Sequence, residues 1–82
     1  MQNDFVKVTD AAYRILEFFP DDPLKTKSKQ QALAVLEGLV AESATVVKDI
    51  EILENYFTLA KLQGWVSDMN FLIITKEYQR IG

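Results

Sequence analysis

The stretch Thr45–Gln63, TVVKDIEILENYFTLAKLQ, decides the fold that we expect of this chain. Its apolar residues recur at alternating spacings of four and three, which places them on one face of a helix at ~100° per residue. A second apolar row lies close beside the first. The first row is Val46, Ile50, Leu53, Phe57 and Ala60, and the second is Ile52, Tyr56 and Leu59. Together they predict one broad apolar stripe, which other helices must cover because such a helix is not stable alone in water.

Two helices are predicted before this central one. Apolar residues at helical spacing predict a first helix over Asn3–Phe19, which Pro20 ends because proline lacks an N–H and clashes with the preceding turn. Asp22 has the position of an N-cap directly before a proline, so a second helix is expected over Pro23–Ala41. Glycine lowers the stability of a helix interior, so the presence of Gly38 in that helix needs a reason. A close approach of a neighbouring helix would supply one.

Short polar segments predict how the helices are joined. Ser43 or Thr45 is expected to cap the central helix at its N-terminus. Gly64 stands where a C-terminal cap glycine belongs, and Ser67-Asp68 follows as a further N-cap. Connections this short make consecutive helices antiparallel neighbours.

The last segment, Met69–Ile81, is ambiguous. Its apolar residues keep the helical spacing, but Phe71–Thr75 is β-branched and aromatic and also reads as a strand. Helix is favoured because the residues that follow continue the helical period without a turn signal. The sequence therefore predicts an all-α fold, an antiparallel up-down-up-down four-helix bundle, in one domain over 1–82.

The composition excludes most catalytic chemistry. The chain has no histidine and no cysteine, so imidazole and thiolate metal sites and the usual nucleophile–base pairs cannot be built. Acidic residues at Asp49, Glu51 and Glu54 and at Asp21-Asp22 could hold a divalent ion, but a solvated face and a helix cap are the ordinary interpretation. We expect no enzyme activity, no metal and no cofactor.

Aromatic residues suggest an interaction surface. Trp65 could anchor a partner, although aromatic residues at helical spacing are more often core. The first helix has more apolar and aromatic residues than its contacts with neighbouring helices require, which suggests an oligomer interface as an alternative to simple core filling. The candidate interface residues are Phe5, Val8, Phe18 and Trp65.

Neither membrane insertion nor export is expected. The longest apolar run is four residues, Phe71–Ile74, far short of a membrane span. The first residues lack the basic flank and apolar run of a signal peptide. We expect a cytoplasmic protein, and its net charge of −3 is ordinary for a soluble surface.

Several short strings carry a family resemblance. They are the helix ending in Phe19-Pro20, the string Ala32-Leu33-Ala34-Val35-Leu36-Glu37, then Asp49-Ile50-Glu51-Ile52-Leu53, Leu59-Ala60-Lys61 and Glu77-Tyr78. In this layout the chain resembles the small four-helix-bundle family of accessory variability determinants of diversity-generating retroelements and S23 intervening-sequence proteins. The resemblance implies a non-enzymatic, ring-forming oligomer that binds a reverse transcriptase and nucleic acid.

The retroelement proteins of that family are strongly basic, whereas this chain is net acidic. Positions that could meet nucleic acid are few. Lys25, Lys27 and Lys29 lie within five positions near a helix N-terminus, where phosphates bind well, although ordinary solvation also explains them. The family's basic positions would map onto these three together with Arg14 and Lys61.

Two functions from different classes follow. The first is an oligomeric helical-bundle accessory protein that binds protein and nucleic acid. The alternative is a winged-helix DNA-binding regulator, with Lys48–Gln63 as recognition helix and Phe71–Thr75 in the wing. Acidic residues on the solvent face of that helix, among them Glu51 and Glu54, would repel phosphates and favour the bundle.

Overall fold

The computed structural model describes residues 2–81, and within that range it contains four α-helices and no β-strand. The helices are α1 (Gln2–Leu16), α2 (Pro23–Val40), α3 (Val46–Leu62) and α4 (Asp68–Ile81). They cover 80% of the structure, and the predicted all-α four-helix fold is confirmed. The predicted domain over 1–82 also includes Met1 and Gly82, which lie outside the described residues.

The four helices form a closed ring around one core. Each helix packs against the one before and after it in the chain, and α4 closes the ring against α1. The contacts of α2 with α1 and α3 are the most extensive, whereas those of α4 are the least. None of the four helices described is long and apolar enough to cross a membrane.

The core takes its largest side chains from three helices. Leu16, Phe57 and Tyr78 are all fully buried, and smaller residues such as Ala32 and Val35 of α2 fill the space between them. One face of each helix therefore supplies the interior, as the apolar spacing predicts.

Only one of the two apolar rows of α3 is in the core. The first row is buried apart from Val46, which is partly buried against the core. In the second row Ile52 and Leu59 are exposed, and Tyr56 is only partly buried. The prediction that both rows merge into one covered stripe is wrong, because two neighbouring helices cover little more than one side of α3.

The first helix ends at Leu16, three residues before the predicted end at Phe19. The last turn tightens from the α-helical to the 3₁₀ hydrogen-bond pattern: the N–H groups of Phe18 and Phe19 donate to the carbonyls three residues earlier, at 3.1 and 3.0 Å. A residue before proline disfavours the helical conformation, so the helix cannot continue to Pro20. The tightening turns Phe19 into the core and leaves Phe18 exposed.

The second helix begins as predicted. The Asp22 carboxylate accepts a hydrogen bond from the Leu24 N–H at 2.8 Å, and Pro23 is the first helical residue. Near the other end, Gly38 is buried against α3: a Cβ added there would lie 2.9 Å from Cγ2 of Val46. This is the close helix approach that the glycine indicates.

Helices α2 and α3 end in the same hydrogen-bond motif. After α3, the Gly64 N–H donates to the Lys61 carbonyl and the Trp65 N–H to the Ala60 carbonyl, at 2.9 and 3.0 Å. This is a Schellman motif, with Gly64 at φ +83° in the left-handed region. The predicted cap glycine is confirmed.

After α2 the same motif occurs without a glycine. The Ser43 N–H donates to the Gly38 carbonyl and the Glu42 N–H to the Leu39 carbonyl, at 2.8 and 3.3 Å. Glu42 therefore adopts φ +54°, which is strained for a residue with a side chain. Thr45 has the N-cap position of α3, but its side chain makes no capping hydrogen bond.

The last segment is helical throughout. Ser67 caps α4, since its Oγ accepts from the Asn70 N–H at 3.1 Å. Phe71–Thr75 lies inside α4, which resolves the choice between helix and strand. A winged helix needs a β-hairpin at this point, so residues 2–81 do not have that fold.

Candidate functional site

The basic residues of α2 do not form a single patch. Residues two apart on a helix are turned by ~200°, so Lys27 lies on the other side of α2 from Lys25 and Lys29. Lys29 donates to a Glu17 carboxylate oxygen at 3.1 Å and its ammonium lies 5.6 Å from the centre of the Tyr13 ring. This hydrogen bond, with the charges of Lys29 and Lys25, lowers the pKa of Glu17. Lys29 is therefore paired with an acidic neighbour, whereas Lys25 acts on the same carboxylate only through its charge.

Arg14 and Lys61 are likewise paired with acidic residues. Arg14 donates to Asp10 on its own helix at 3.0 Å. The Lys61 ammonium lies 3.6 Å from the Asp68 carboxylate and 4.6 Å from the centre of the Phe71 ring. The five predicted nucleic-acid positions are thus spread over three helices, and Arg14, Lys29 and Lys61 each pair with an acidic neighbour.

The three most exposed large hydrophobic side chains among those described lie at one end of the bundle. Phe18, Leu62 and Met69 are 78%, 77% and 67% exposed, and no other large hydrophobic residue exceeds 55% among those described. They flank the α1–α2 and α3–α4 connections, which lie at the same end of an up-down-up-down bundle. The rings of Phe19 and Trp65, 5.7 Å apart, join the two connections. We call Phe18, Leu62, Trp65 and Met69 the turn-end surface.

The predicted interface residues fall into two groups. Phe18 and Trp65 both belong to the turn-end surface, where Phe18 is exposed and Trp65 is partly buried. Val8 is in the core at 4% exposure, and Phe5 is partly buried against the core. Of the four, only Val8 is closed to another protein while the bundle is intact, and Phe18 offers the most exposed surface.

A cleft lies between α3 and α4. Its volume is about 250 Å³, and it is lined by Val47, Ile50, Glu51, Glu54, Tyr78 and Gln79. Ile50 and Tyr78 are buried and form its floor, while the other residues form its walls and rim. Gln79 donates to Glu54 at 3.5 Å, a long hydrogen bond that joins the two helices across the cleft.

Two buried hydroxyl groups have no hydrogen-bond partner in the part of the chain that the structure describes: those of Ser28 and Tyr78. Both residues are fully buried. Burial raises the pKa of Tyr78, because the phenolate would lose its hydration. An unsatisfied buried hydroxyl is uncommon, and in Tyr78 it belongs to a residue that lines the cleft.

The acidic residues of α3 do not form a metal site. Within residues 2–81, no group of three or more acidic side chains is arranged to hold an ion. Glu51 and Glu54 line the cleft, whereas Asp49 lies on the side of α3 that faces α2, where its carbonyl accepts from the Gln31 amide at 2.9 Å. Sequence reasoning identified these two glutamates but missed Tyr78, which is 24 residues further along the chain than Glu54.

Comparison with known proteins assigns no family: no protein-family model matches the chain, and neither curated proteins nor solved structures give a significant match.

Proposed function

We propose that this protein is a non-enzymatic helical-bundle accessory protein that acts by binding other proteins, and that its turn-end surface joins two copies of the chain. The observation that carries the proposal is the position of Phe18, Leu62 and Met69. The three most exposed large hydrophobic residues described all lie at one end of the molecule. Exposed apolar groups gathered in one place are typical of interaction surfaces, whereas single ones are not.

The surroundings of this surface resemble the rim of a protein interface. The surface includes an aromatic residue, Trp65, and a methionine, Met69, and both residue types are enriched in interfaces. The Lys61–Asp68 pair and Asp21 lie beside it and are solvated. A surface that carries both charge signs at its rim can meet a second copy of itself about a twofold axis, each cation facing an acid.

The small area of the bundle end limits the affinity of one copy of the chain for another. The cross-section of the molecule is 23 × 18 Å, roughly 400 Å², about half of the ~800 Å² that each partner buries in a standard-sized interface. Interfaces of this size belong to weak or transient complexes. We therefore expect self-association to be concentration-dependent, with a dissociation constant in the micromolar range or weaker.

The proposal keeps the cytoplasmic location that the sequence predicts. The family resemblance adds a reverse transcriptase and nucleic acid as partners, and both stay predictions. The pairing of Lys29 and Lys61 with acidic neighbours supports the protein partner over the nucleic acid, because paired lysines offer less charge to phosphates.

The proposal is tested by sedimentation velocity over protein concentrations from about 10 μM to 1 mM. We expect the wild-type average mass to rise with concentration and the double variant Phe18→Glu/Met69→Glu to stay monomeric, because charges would be buried unpaired between the copies. Both residues are exposed, so the variant should fold normally. Circular dichroism and the urea midpoint check this.

The matched control is Val6→Glu, which adds a charge at an exposed apolar position of α1 away from the turn end. It should self-associate like the wild type. A wild type that is monomeric throughout, or a control that dissociates as fully as the double variant, would refute the turn-end interface.

A further inference from the structure

The outer face of α4 continues the turn-end surface along the side of the bundle. Met69, Leu72 and Ile73 are neighbours on that face at spacings of three and four, and they are 67%, 50% and 50% exposed. The opposite face of α4 supplies the buried Ile74 and Tyr78. Helix α4 is therefore apolar on two faces, and only one of them is in the core of residues 2–81.

Helix α3 supplies the neighbouring part of this apolar area. The Lys61 ammonium lies close to both the Asp68 carboxylate and the Phe71 ring, so the end of α3 is level with the start of α4. Leu62, which is 77% exposed, directly follows Lys61, and the exposed Leu72 directly follows Phe71. The apolar area thus extends from the turn end onto the side of the bundle that α3 and α4 form.

Further from the turn end, the same two helices carry opposite charges. On α3, Glu54 and Glu51 lie about two and three turns before Leu62. On α4, Lys76 lies about one turn after Leu72. None of these three charged residues makes an ion pair with a described residue. The α3–α4 side therefore has acids on one helix and a cation on the other, both open to a partner.

These charges favour one way for two such sides to meet. Placing α4 against α4 of a second copy would bring Lys76 against itself, and placing α3 against α3 would bring the glutamates together. Like charges that meet across an interface are costly. Placing α3 of each copy against α4 of the other brings opposite charges together, and a twofold axis repeats that contact.

The register of α3 against α4 brings the right residues to the same level. The Gln79 amide donates to Glu54 at 3.5 Å, so these two residues are level. Lys76 is three residues from Gln79 towards the turn end, roughly 4.5 Å along the axis, which a lysine side chain can span. When the twofold axis is parallel to the helices, equal levels meet, so Lys76 can reach Glu54 of the second copy. Leu62 then meets Leu72 of that copy.

We propose that two copies of the chain pack side by side, with α3 of each on α4 of the other, about a twofold axis parallel to the helices. The inference rests on the proposed function, because the turn-end surface supplies Leu62 and Met69 to the contact, and it specifies how the second copy is oriented. The molecule is 33 Å long, so a contact along its side adds area to the roughly 400 Å² of the bundle end.

The test is exchange of the paired charges, measured by sedimentation velocity over the concentration range used for the wild type. Lys76→Glu and Glu54→Lys should each weaken self-association about tenfold, because each places like charges together twice in the dimer. An equimolar mixture should restore it to within about threefold of the wild type. In the mixed dimer one contact is native and the other has both charges exchanged, so both contacts are attractive.

The matched controls lie on α2, which is diagonally opposite α4 in the ring of helices. Lys27→Glu and Glu37→Lys change the net charge by the same amounts at exposed positions, and should self-associate like the wild type both alone and mixed. Leu72→Ser tests the apolar part and should weaken self-association, whereas Leu33→Ser, at 44% exposure on α2, should not.

The outcomes separate this inference from the proposed function. Self-association that depends on Phe18 and Met69 but is unaffected by the charge exchanges would overturn the side-by-side packing and leave the turn-end interface in place. A mixture that associates no more tightly than its two components would overturn it as well. A wild type that stays monomeric throughout would refute both proposals.

Discussion

Substituting Gly38 by alanine tests the close approach of α2 and α3. Two effects oppose each other. Alanine is favoured over glycine inside a helix by roughly 0.8–1.0 kcal/mol. The new Cβ, however, would lie 2.9 Å from Cγ2 and 3.2 Å from Cβ of Val46, well inside normal contact.

The steric effect should prevail. Val46 is β-branched, so its χ1 is stiff, and its Cβ moves only with the backbone of α3. Forcing an extra methyl into a packed interior costs about 1–3 kcal/mol. We take the upper part of that range, because neither contact can be relieved by a free side-chain rotation. The net expectation is a loss of about 1–2 kcal/mol, or a fall in Tm of roughly 4–16 °C at 4–8 °C per kcal/mol.

Two further substitutions, Val46→Ala and Gly64→Ala, used alone and in combination, isolate the cause. In a Val46→Ala background the 2.9 Å contact is gone and only the 3.2 Å one remains, so Gly38→Ala should be close to neutral, a coupling of about 1–2 kcal/mol. Gly64→Ala is the control: it has open space around its Cβ but φ +83°, so it should cost about 1–2 kcal/mol in either background. Urea unfolding followed by circular dichroism measures all five variants. A Gly38→Ala protein about 1 kcal/mol more stable than the wild type would refute the argument, since helix propensity would then outweigh packing.

Three other substitutions probe single features. Glu42→Gly should raise the free energy of unfolding by about 1 kcal/mol because φ +54° is unstrained in glycine, and an unchanged urea midpoint would contradict this. Ser28→Ala should stabilise by up to about 1 kcal/mol, because it removes a buried hydroxyl without a partner, and a clear loss of stability would mean that the hydroxyl is bonded. Lys29→Met should raise the pKa of Glu17 towards its usual value in an NMR titration. Because the folded-state pKa is lowered, the stabilisation from this pair is present above the unfolded pKa and is lost as pH falls, and an unshifted pKa would contradict the assigned cause.

The helices were predictable because their signals are local. Pro20, Pro23 and the Asp22 cap set the α1–α2 connection, and Gly64 marks the end of α3. Each of these acts through the backbone of its own segment, so its effect does not depend on the rest of the fold. Even the strand-like Phe71–Thr75 follows its helical neighbours, because the period continues through it.

Features set by tertiary packing were harder to predict. Whether the second apolar row of α3 is covered depends on which sides its neighbours occupy, and Ile52 and Leu59 proved to be exposed. Glu42 adopts a left-handed conformation that its residue type disfavours, because the α2–α3 packing and the Schellman hydrogen bonds impose it. Neither the exposure of the second apolar row nor the left-handed conformation of Glu42 follows from the residue types in the sequence.

The candidate sites show the same difference between what local sequence predicts and what tertiary packing decides. Phe18 and Trp65 could be selected as interaction residues from their type, but their meeting at one end required the order of the helices. The cleft joins Glu51 and Glu54 to Tyr78, and only the α3–α4 packing brings that distant residue to them. Residue chemistry was readable from the sequence, and its assembly into surfaces was not.

Both the turn-end surface and the α3–α4 cleft depend on α4, the helix with the least extensive contacts in the bundle. Met69 at its first turn belongs to the turn-end surface, and Tyr78 near its last turn belongs to the cleft floor. A helix held by fewer contacts opens locally at lower free energy, and functional elements are drawn from such regions. The extensive α1–α2–α3 packing then serves as the rigid support.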